Sequence, residues 1–544
     1  MKKSIKKYIV ATGALVAITS TACKKTFFNR PPEDSPTVGT YYQTTAQVQG
    51  STAILYAAPW FGLNGKAFLA IGDLQSGNAI CYAGTDGAFD AFRNFSQGNA
   101  TQGVQSAWNS LYTVVAQANA LLNNLPTAAP ASVPKDVVNN ALGEAHVMRA
   151  AAYFYLVRIF GNVPIITNPT SQVNNYQTVN TNPVADVYKF IVNDLLFGEA
   201  NCASGVASTG HASKTSASGL LAKVYLYMQD YANARAEAEK VIASGEFGLM
   251  DGPNAFRSMF ELAGNNCKES MIALQWTSNG GYGFGNQLQS VIAPNTDISG
   301  TADGYGELGP SFDLQKAYTD AGDSVRLHGT LMFGGYLYPE IHKKDGGYTV
   351  PLNVNAQGSH AGMKKYVVGT PDDNGGLSAK QATSNNTYLL RFADMYLIAA
   401  EAILGAAAGV SPGTGIPLTA STTDATALGY INKIRQRAKL PDLTSLTYQQ
   451  LLNERRLEFA IEGDYWYDLQ RIDGFNNTHH PVAIGIISAQ ERGNASAGTA
   501  PNYTDYVVYH STVTPTDANF ITPIPATETA ADPALLQPPV PYKF

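Results

Sequence analysis

Residues 218–249 read SGLLAKVYLYMQDYANARAEAEKVIASGEFGL, and their spacing decides the fold. Leu221, Val224, Tyr225 and Met228 recur at steps of three and four, so they share one face of a helix. Gln229 and Asp230 break that pattern. A second helix then carries Ala234, Ala238, Val241 and Ile242, and it closes near Gly245, a residue suited to the left-handed end of a helix. Small side chains sit where the two helices must meet. Ala222, Ala234 and Ala238 allow close backbone approach, and Tyr225 is placed to fill the space between neighbouring units.

This is the spacing of a tetratricopeptide helical hairpin. A lone hairpin cannot bury its apolar face, so further pairs are required. The chain supplies them. Val138, Ala141, Ala145, Met148, Ala152, Tyr155 and Ile159 form one stripe of a long helix, with Asp136 as expected N-cap and Gly161 and Pro164 ending it. Trp108–Leu125 reads as its partner. Leu389–Leu404 and Ala425–Lys439 form a later pair. Another helix, Tyr448–Glu462, opens on a capping box between Thr447 and Gln450.

Between the helical regions the composition changes. Residues 271–387 are rich in Gly, Asn, Tyr and Thr, with short apolar runs, which predicts an insert of loops and short strands. Residues 476–544 read as an irregular tail because of their prolines. The expected architecture is mainly α: a superhelix of hairpins over about 105–270 and 388–475, interrupted by the loop-rich insert, within one domain spanning 41–544.

The 544 residues are 45% hydrophobic but only 14% charged, with 30 Tyr and a net charge of −6. Nucleic-acid binding needs clustered Lys and Arg and is set aside. At the N-terminus, Lys2, Lys3, Lys6 and Lys7 precede the apolar run Tyr8–Ile18. Ser20, Thr21 and Ala22 then lead into Cys23. The run is too short to span a bilayer, so 1–22 reads as a signal peptide. Cys23 resembles the lipidated cysteine of a lipobox, although Ser20 stands where an apolar residue is usual. Residues 23–40, with Pro31, Pro32 and Pro36, read as a tether. Cys81, Cys202 and Cys267 permit at most one disulfide and match no zinc spacing.

Five blocks, in order, resemble the SusD/RagB family: 107–122, 143–165, 218–249, 389–404 with 430–443, and LLNERRLEFAIEGDYWYDLQR at 451–471. The last departs in having Tyr465 before Trp466, where the family usually has Arg or Lys. The resemblance implies a lipid-anchored outer-membrane protein that captures a glycan for a SusC-like, TonB-dependent transporter. It implies no catalytic residue, metal or cofactor. Peptide capture of the RagB kind, or glycoside hydrolysis, are the alternatives. The ligand regions implied are 72–95 and the insert, which gives Asp73, Asn78, Phe92 and Arg93 in the first and Trp276, Tyr282 and Phe284 in the second. Flat aromatic faces suit the C–H side of a sugar ring, and fixed polar groups suit its hydroxyls. The acid- and Arg-rich ERRLEF segment could be read as paired carboxylates for acid–base work. Its helical spacing points instead to ion pairing between helices.

Lipidation at Cys23 makes a direct prediction. Cys23→Ala should leave the protein unlipidated and move it to the soluble fraction; membrane retention equal to wild type would contradict the anchor.

Overall fold

The structure, a computed structural model, describes residues 41–82, 84–168, 176–205, 209–492 and 514–544. Cys23, the signal peptide and the tether lie outside the described residues.

Helices α1 (Gln102–Ala128), α2 (Lys135–Phe160), α3 (Val184–Asn201), α4 (Lys214–Tyr227) and α5 (Tyr231–Ser244) stack in sequence, each against the next. The stack resumes with α6 (Phe392–Ala407), which packs directly on α5 although residues 245–391 intervene. Helix α7 (Ala425–Arg437) packs on α6, and α8 (Tyr448–Phe459) and α9 (Tyr465–Arg471) complete the series. This is the mainly helical, tetratricopeptide-like superhelix that the spacing predicts.

Local chemistry sets the helix ends. Ser213 accepts from Ser216 N at the start of α4, and Asp230 from Asn233 N at the start of α5. Thr447 and Gln450 form the expected reciprocal capping box of α8. Gly245 closes α5 at φ 66°. Two expectations need correction. Pro134, not Asp136, occupies the N-cap of α2, and Asp136 lies in the first turn, where its carboxylate still complements the helix dipole. The stretch from Leu389 begins as strand and becomes helix only at Phe392.

That strand explains how the insert is mounted. β1 (Ser270–Leu274) and β2 (Thr387–Arg391) pair antiparallel and close the neck of the insert with irregular register around Leu390. All five residues of β1 are buried. Beyond the neck are two-residue strand pairs, and also helices Phe312–Asp320 and Ser324–Thr330 that the loop-rich composition did not suggest. Ala79–Ile80 pairs with Gly309–Pro310, tying the N-terminal loops to the insert. Among its described residues the tail carries helices Pro481–Ser488 and Ala526–Ala531, where only irregular chain was expected. In the first, Pro481 takes the opening position, where its missing N–H costs nothing.

Ala222, Ala234 and Ala238 are fully buried where the stacked helices meet. Ala234→Leu should therefore overpack the contact of α5 with its neighbours and cost about 1–3 kcal/mol. A melting temperature equal to wild type would place Ala234 outside any tight helix contact.

Candidate functional site

The ERRLEF segment is the most charge-rich part of the chain, and the structure buries it. On α8, Glu458 faces Arg326 at 3.3 Å, Arg391 at 2.9 Å, and Arg437. Arg391 grips Glu462 with two nitrogens, each at 2.7 Å, and reaches Glu269 at 3.2 Å. Arg326 also holds Asp323 and Glu454, both at 2.5 Å, and Lys365 joins Glu462 at 2.9 Å. A second cluster lies alongside. Arg455 binds Asp394 at 2.7 Å and Asp468 at 3.0 Å, Arg471 binds Glu401 and Asp468, and Lys223 spans Asp394 and Asp464. Burial by itself would raise the Glu458 carboxyl, but the charges of Arg437, Arg391 and Arg326 override it and hold the group well below the usual carboxylate range. Acid–base catalysis needs a carboxyl that reaches substrate, and these are enclosed and fully engaged.

The expected ligand residues divide sharply. Asp73 is completely buried and accepts from Ile461 N at 2.8 Å, Gly463 N at 2.9 Å and Asn78 Nδ2 at 3.1 Å. It holds the turn after α8, and burial lifts its pKa to about 6. Asn78, equally buried, accepts from Arg456 Nε at 2.8 Å. Phe92 is core. Arg93 is half-buried and pairs with Asp90 at 3.4 Å. Trp276 is only 6% exposed; its Nε1 donates to Thr387 Oγ1 at 3.1 Å, so it staples the neck of the insert where β1 ends and β2 begins. These placements correct the expectation that Asp73, Asn78, Phe92 and Trp276 present themselves to a ligand. Asp73 and Asn78 are turned inward by bonds to α8 and the turn after it, Trp276 by its bond at the neck, and Phe92 because its short helix, Gly87–Arg93, packs on α1 beside Gly103.

Tyr282 and Phe284 do face solvent, at 64% and 52% exposure. The ring of Phe61 stands edge-on to Tyr282 at 4.9 Å and to Trp276 at 6.4 Å, linking the exposed platform to the neck. Ion pairs and hydrogen bonds tie this region to further exposed rings. Lys66, one turn on, binds Asp86 at 2.6 Å and Glu307 at 2.8 Å. Two residues before Glu307 stands Tyr305, 45% exposed, its hydroxyl accepting from Gln381 Nε2 at 2.7 Å. Gln381 lies in the turn of a hairpin whose strand residue Thr383 bridges to Asn286, just after Phe284. Gln357 ties the far end: its Oε1 accepts from Tyr82 N at 2.9 Å, and its Nε2 donates to Gly306 O at 2.7 Å. Tyr82 is 47% exposed.

Tyr82, Tyr305 and Phe61 were not among the sequence candidates. A signal was present for Tyr305. Tyr282 and Tyr305 both sit in Gly-Tyr-Gly, at 281–283 and 304–306, and all four glycines have positive φ. Such a backbone bends on both sides of the tyrosine and leaves its ring standing clear. Nothing local marks Tyr82, whose exposure depends on Gln357 from a distant loop.

Elsewhere a cleft of about 550 Å³ opens between α2, α3 and the C-terminal segment. Its Tyr188 and Tyr227 are buried, so they offer no open stacking face there. No group of His, Cys, Asp and Glu among the described residues could hold a metal ion, and no helix among them is long and apolar enough to cross a membrane. Cys81, Cys202 and Cys267 are unpaired.

Comparison with known proteins places the fold. The model of the SusD family matches residues 268–541, and a second, described as starch-binding associating with outer membrane, matches 88–226. A SusD-like protein of Bacteroides ovatus is 31% identical over 99% of this chain and 98% of its own. SusD-like protein P2 of Formosa agariphila is 28% identical over 82% of this chain and 87% of its own. A crystal structure containing xylogluco-oligosaccharide superposes with TM-score 0.78 at 29% identity, over 91% of this chain and 99% of that one.

The buried network should make stability depend on acid pH. Glu458 has a folded pKa below its ordinary 4.5, so its contribution is complete above that value and is lost as pH falls below it. Glu458→Gln should cost about 3–5 kcal/mol at neutral pH, because it leaves buried guanidinium charge uncompensated. It should also flatten the fall in melting temperature between pH 5 and 3. Parallel melts of the two proteins test both, and superimposable pH profiles would contradict the role.

Proposed function

The chain belongs to the SusD family, and from that membership we propose that it is a glycan-capturing lipoprotein of the outer-membrane surface, anchored at Cys23. Membership places it among binding proteins and not enzymes. The observation that supports glycan capture is the strip itself. Four aromatic side chains, Tyr82, Tyr282, Phe284 and Tyr305, stand exposed on loops that Gln357, Gln381 and the ion pairs of Lys66 tie to their neighbours. Aromatic faces take the apolar side of a pyranose, while Gln357, Gln381 and their neighbours suit its hydroxyls. The relative that carries xylogluco-oligosaccharide shares the fold over nearly the whole chain, which supports an oligosaccharide as the ligand type here.

Capture is useful to a cell only if the ligand moves on. We assign delivery to a TonB-dependent, SusC-like transporter as the partner step. Cross-linking on intact cells tests it: recovery of such a transporter with the wild-type protein supports the assignment, and its absence from the cross-linked material counts against it.

The platform is tested by Tyr282→Ala combined with Tyr305→Ala. Each lost face is worth on the order of 1 kcal/mol. Glycan affinity should therefore fall by about tenfold or more, with an unchanged melting temperature. Trp276→Phe should behave the opposite way, lowering the melting temperature through the lost bond to Thr387 while the exposed platform remains. Normal glycan affinity in a stable double variant would remove the strip from the binding site. Binding of peptides in place of glycans would favour the RagB-like alternative.

A further inference from the structure

Resting on that reading of the strip, we infer that the ligand is an uncharged glycan, and that the Lys66–Asp86–Glu307 trio is what excludes polyanionic chains. The argument starts from where charge sits along the aromatic platform. Lys66, five residues after Phe61 and paired to Glu307 two residues beyond Tyr305, is a part-exposed ammonium of the kind that pairs with a uronate or sulfate. Its ammonium is already taken by two carboxylates, Asp86 at 2.6 Å and Glu307 at 2.8 Å. The trio therefore carries one excess negative charge.

The other cations along the strip do not reverse this. Arg93 is engaged by Asp90. Lys380 stands exposed beside Gln381 with no ion pair among the described residues, a single ammonium that offsets the excess of the trio. Beneath the same hairpin lies Asp303. Burial would raise its pKa, but the hydroxyls of Ser290 and Thr301 and the amide of Gln381 hold it below the usual range, so it is ionised at neutral pH. Lys66, Arg93 and Lys380 thus face Asp86, Asp90, Glu307 and Asp303. A polyuronate brings one carboxylate per sugar. It would meet no free guanidinium fork of the kind that recognises such groups, and a surface whose charges sum to a slight negative. A neutral chain meets aromatic faces, amides, carboxylates that accept well from hydroxyls, and the single ammonium of Lys380, which donates to them.

Affinity electrophoresis of the full chain distinguishes the possibilities. The gels would contain xyloglucan, mixed-linkage β-glucan or mannan as neutral probes, and polygalacturonate or chondroitin sulfate as anionic ones. Retardation is expected with at least one neutral glycan and with neither polyanion. Asp86→Asn with Glu307→Gln releases Lys66 while keeping an N-cap at position 86. It should shift the ratio of polygalacturonate to neutral-glycan affinity by about tenfold or more at low salt, an effect that half-molar salt abolishes. Wild-type protein retarded by polygalacturonate as strongly as by any neutral glycan would overturn the inference and leave glycan capture standing. A double variant as indifferent to polygalacturonate as wild type would overturn the role of the trio. Retardation by none of the gels would bring down glycan capture and this inference with it.

Discussion

The buried ion network around α8 is the constraint on which the rest of the structure depends. Its acids come mostly from α8 and the turn beyond it; its bases come from both sides of the molecule. Arg391, Arg437, Arg455 and Arg471 belong to the scaffold, whereas Arg326 and Lys365 belong to the insert. Within it Glu269, Asp323, Glu454, Glu458 and Glu462 meet Arg326, Lys365, Arg391, Arg435 and Arg437, five charges against five. Such a cluster is costly to desolvate and is tolerable only when it is complete. Its energetic value is therefore less in net stability than in uniqueness: an insert docked in any other way would leave buried charges unmatched.

That fixed docking explains how a loop-rich segment can carry a binding surface. The insert leaves the superhelix between two helices that stay in contact, and its two strands close on each other at the neck. Trp276 and Thr387 staple that closure, and Phe61 leans on both Trp276 and Tyr282. Rigidity thus passes from the scaffold through the neck to the exposed rings. A platform held in this way loses little side-chain freedom when a ligand stacks on it, which favours affinity. Gln357 and Gln381 do the same for Tyr82 and Tyr305 by tying their loops to neighbours far away in sequence.

The low overall charge is consistent with this division of labour. Much of the limited supply of Arg, Asp and Glu is spent inside, where it specifies the docking, and what remains around the platform sums to a slight negative. Surface recognition is left to aromatic rings and neutral amides.

Sequence alone determined the scaffold. The period of Leu221, Val224, Ala234 and Ala238, the capping box at Thr447, and Gly245 are local signals, because helices and their ends are local objects. The structural role of ERRLEF was also legible, since spacing places those charges together on one helix. Of the strip proposed as the site, only part was legible. Tyr282 and Phe284 sit between glycines that hold them outward, a cause written in adjacent residues. Asp73, Asn78 and Trp276 belong to stretches that look alike in composition, yet they turn inward because Ile461, Gly463, Arg456 and Thr387 draw them there, and Phe92 does so because its helix packs on α1. Tyr82 and Tyr305 join the platform through Gln357 and Gln381. Whether a loop residue faces core or solvent is decided by partners 76 to 390 positions away, and only the tertiary structure brings those partners within hydrogen-bond reach.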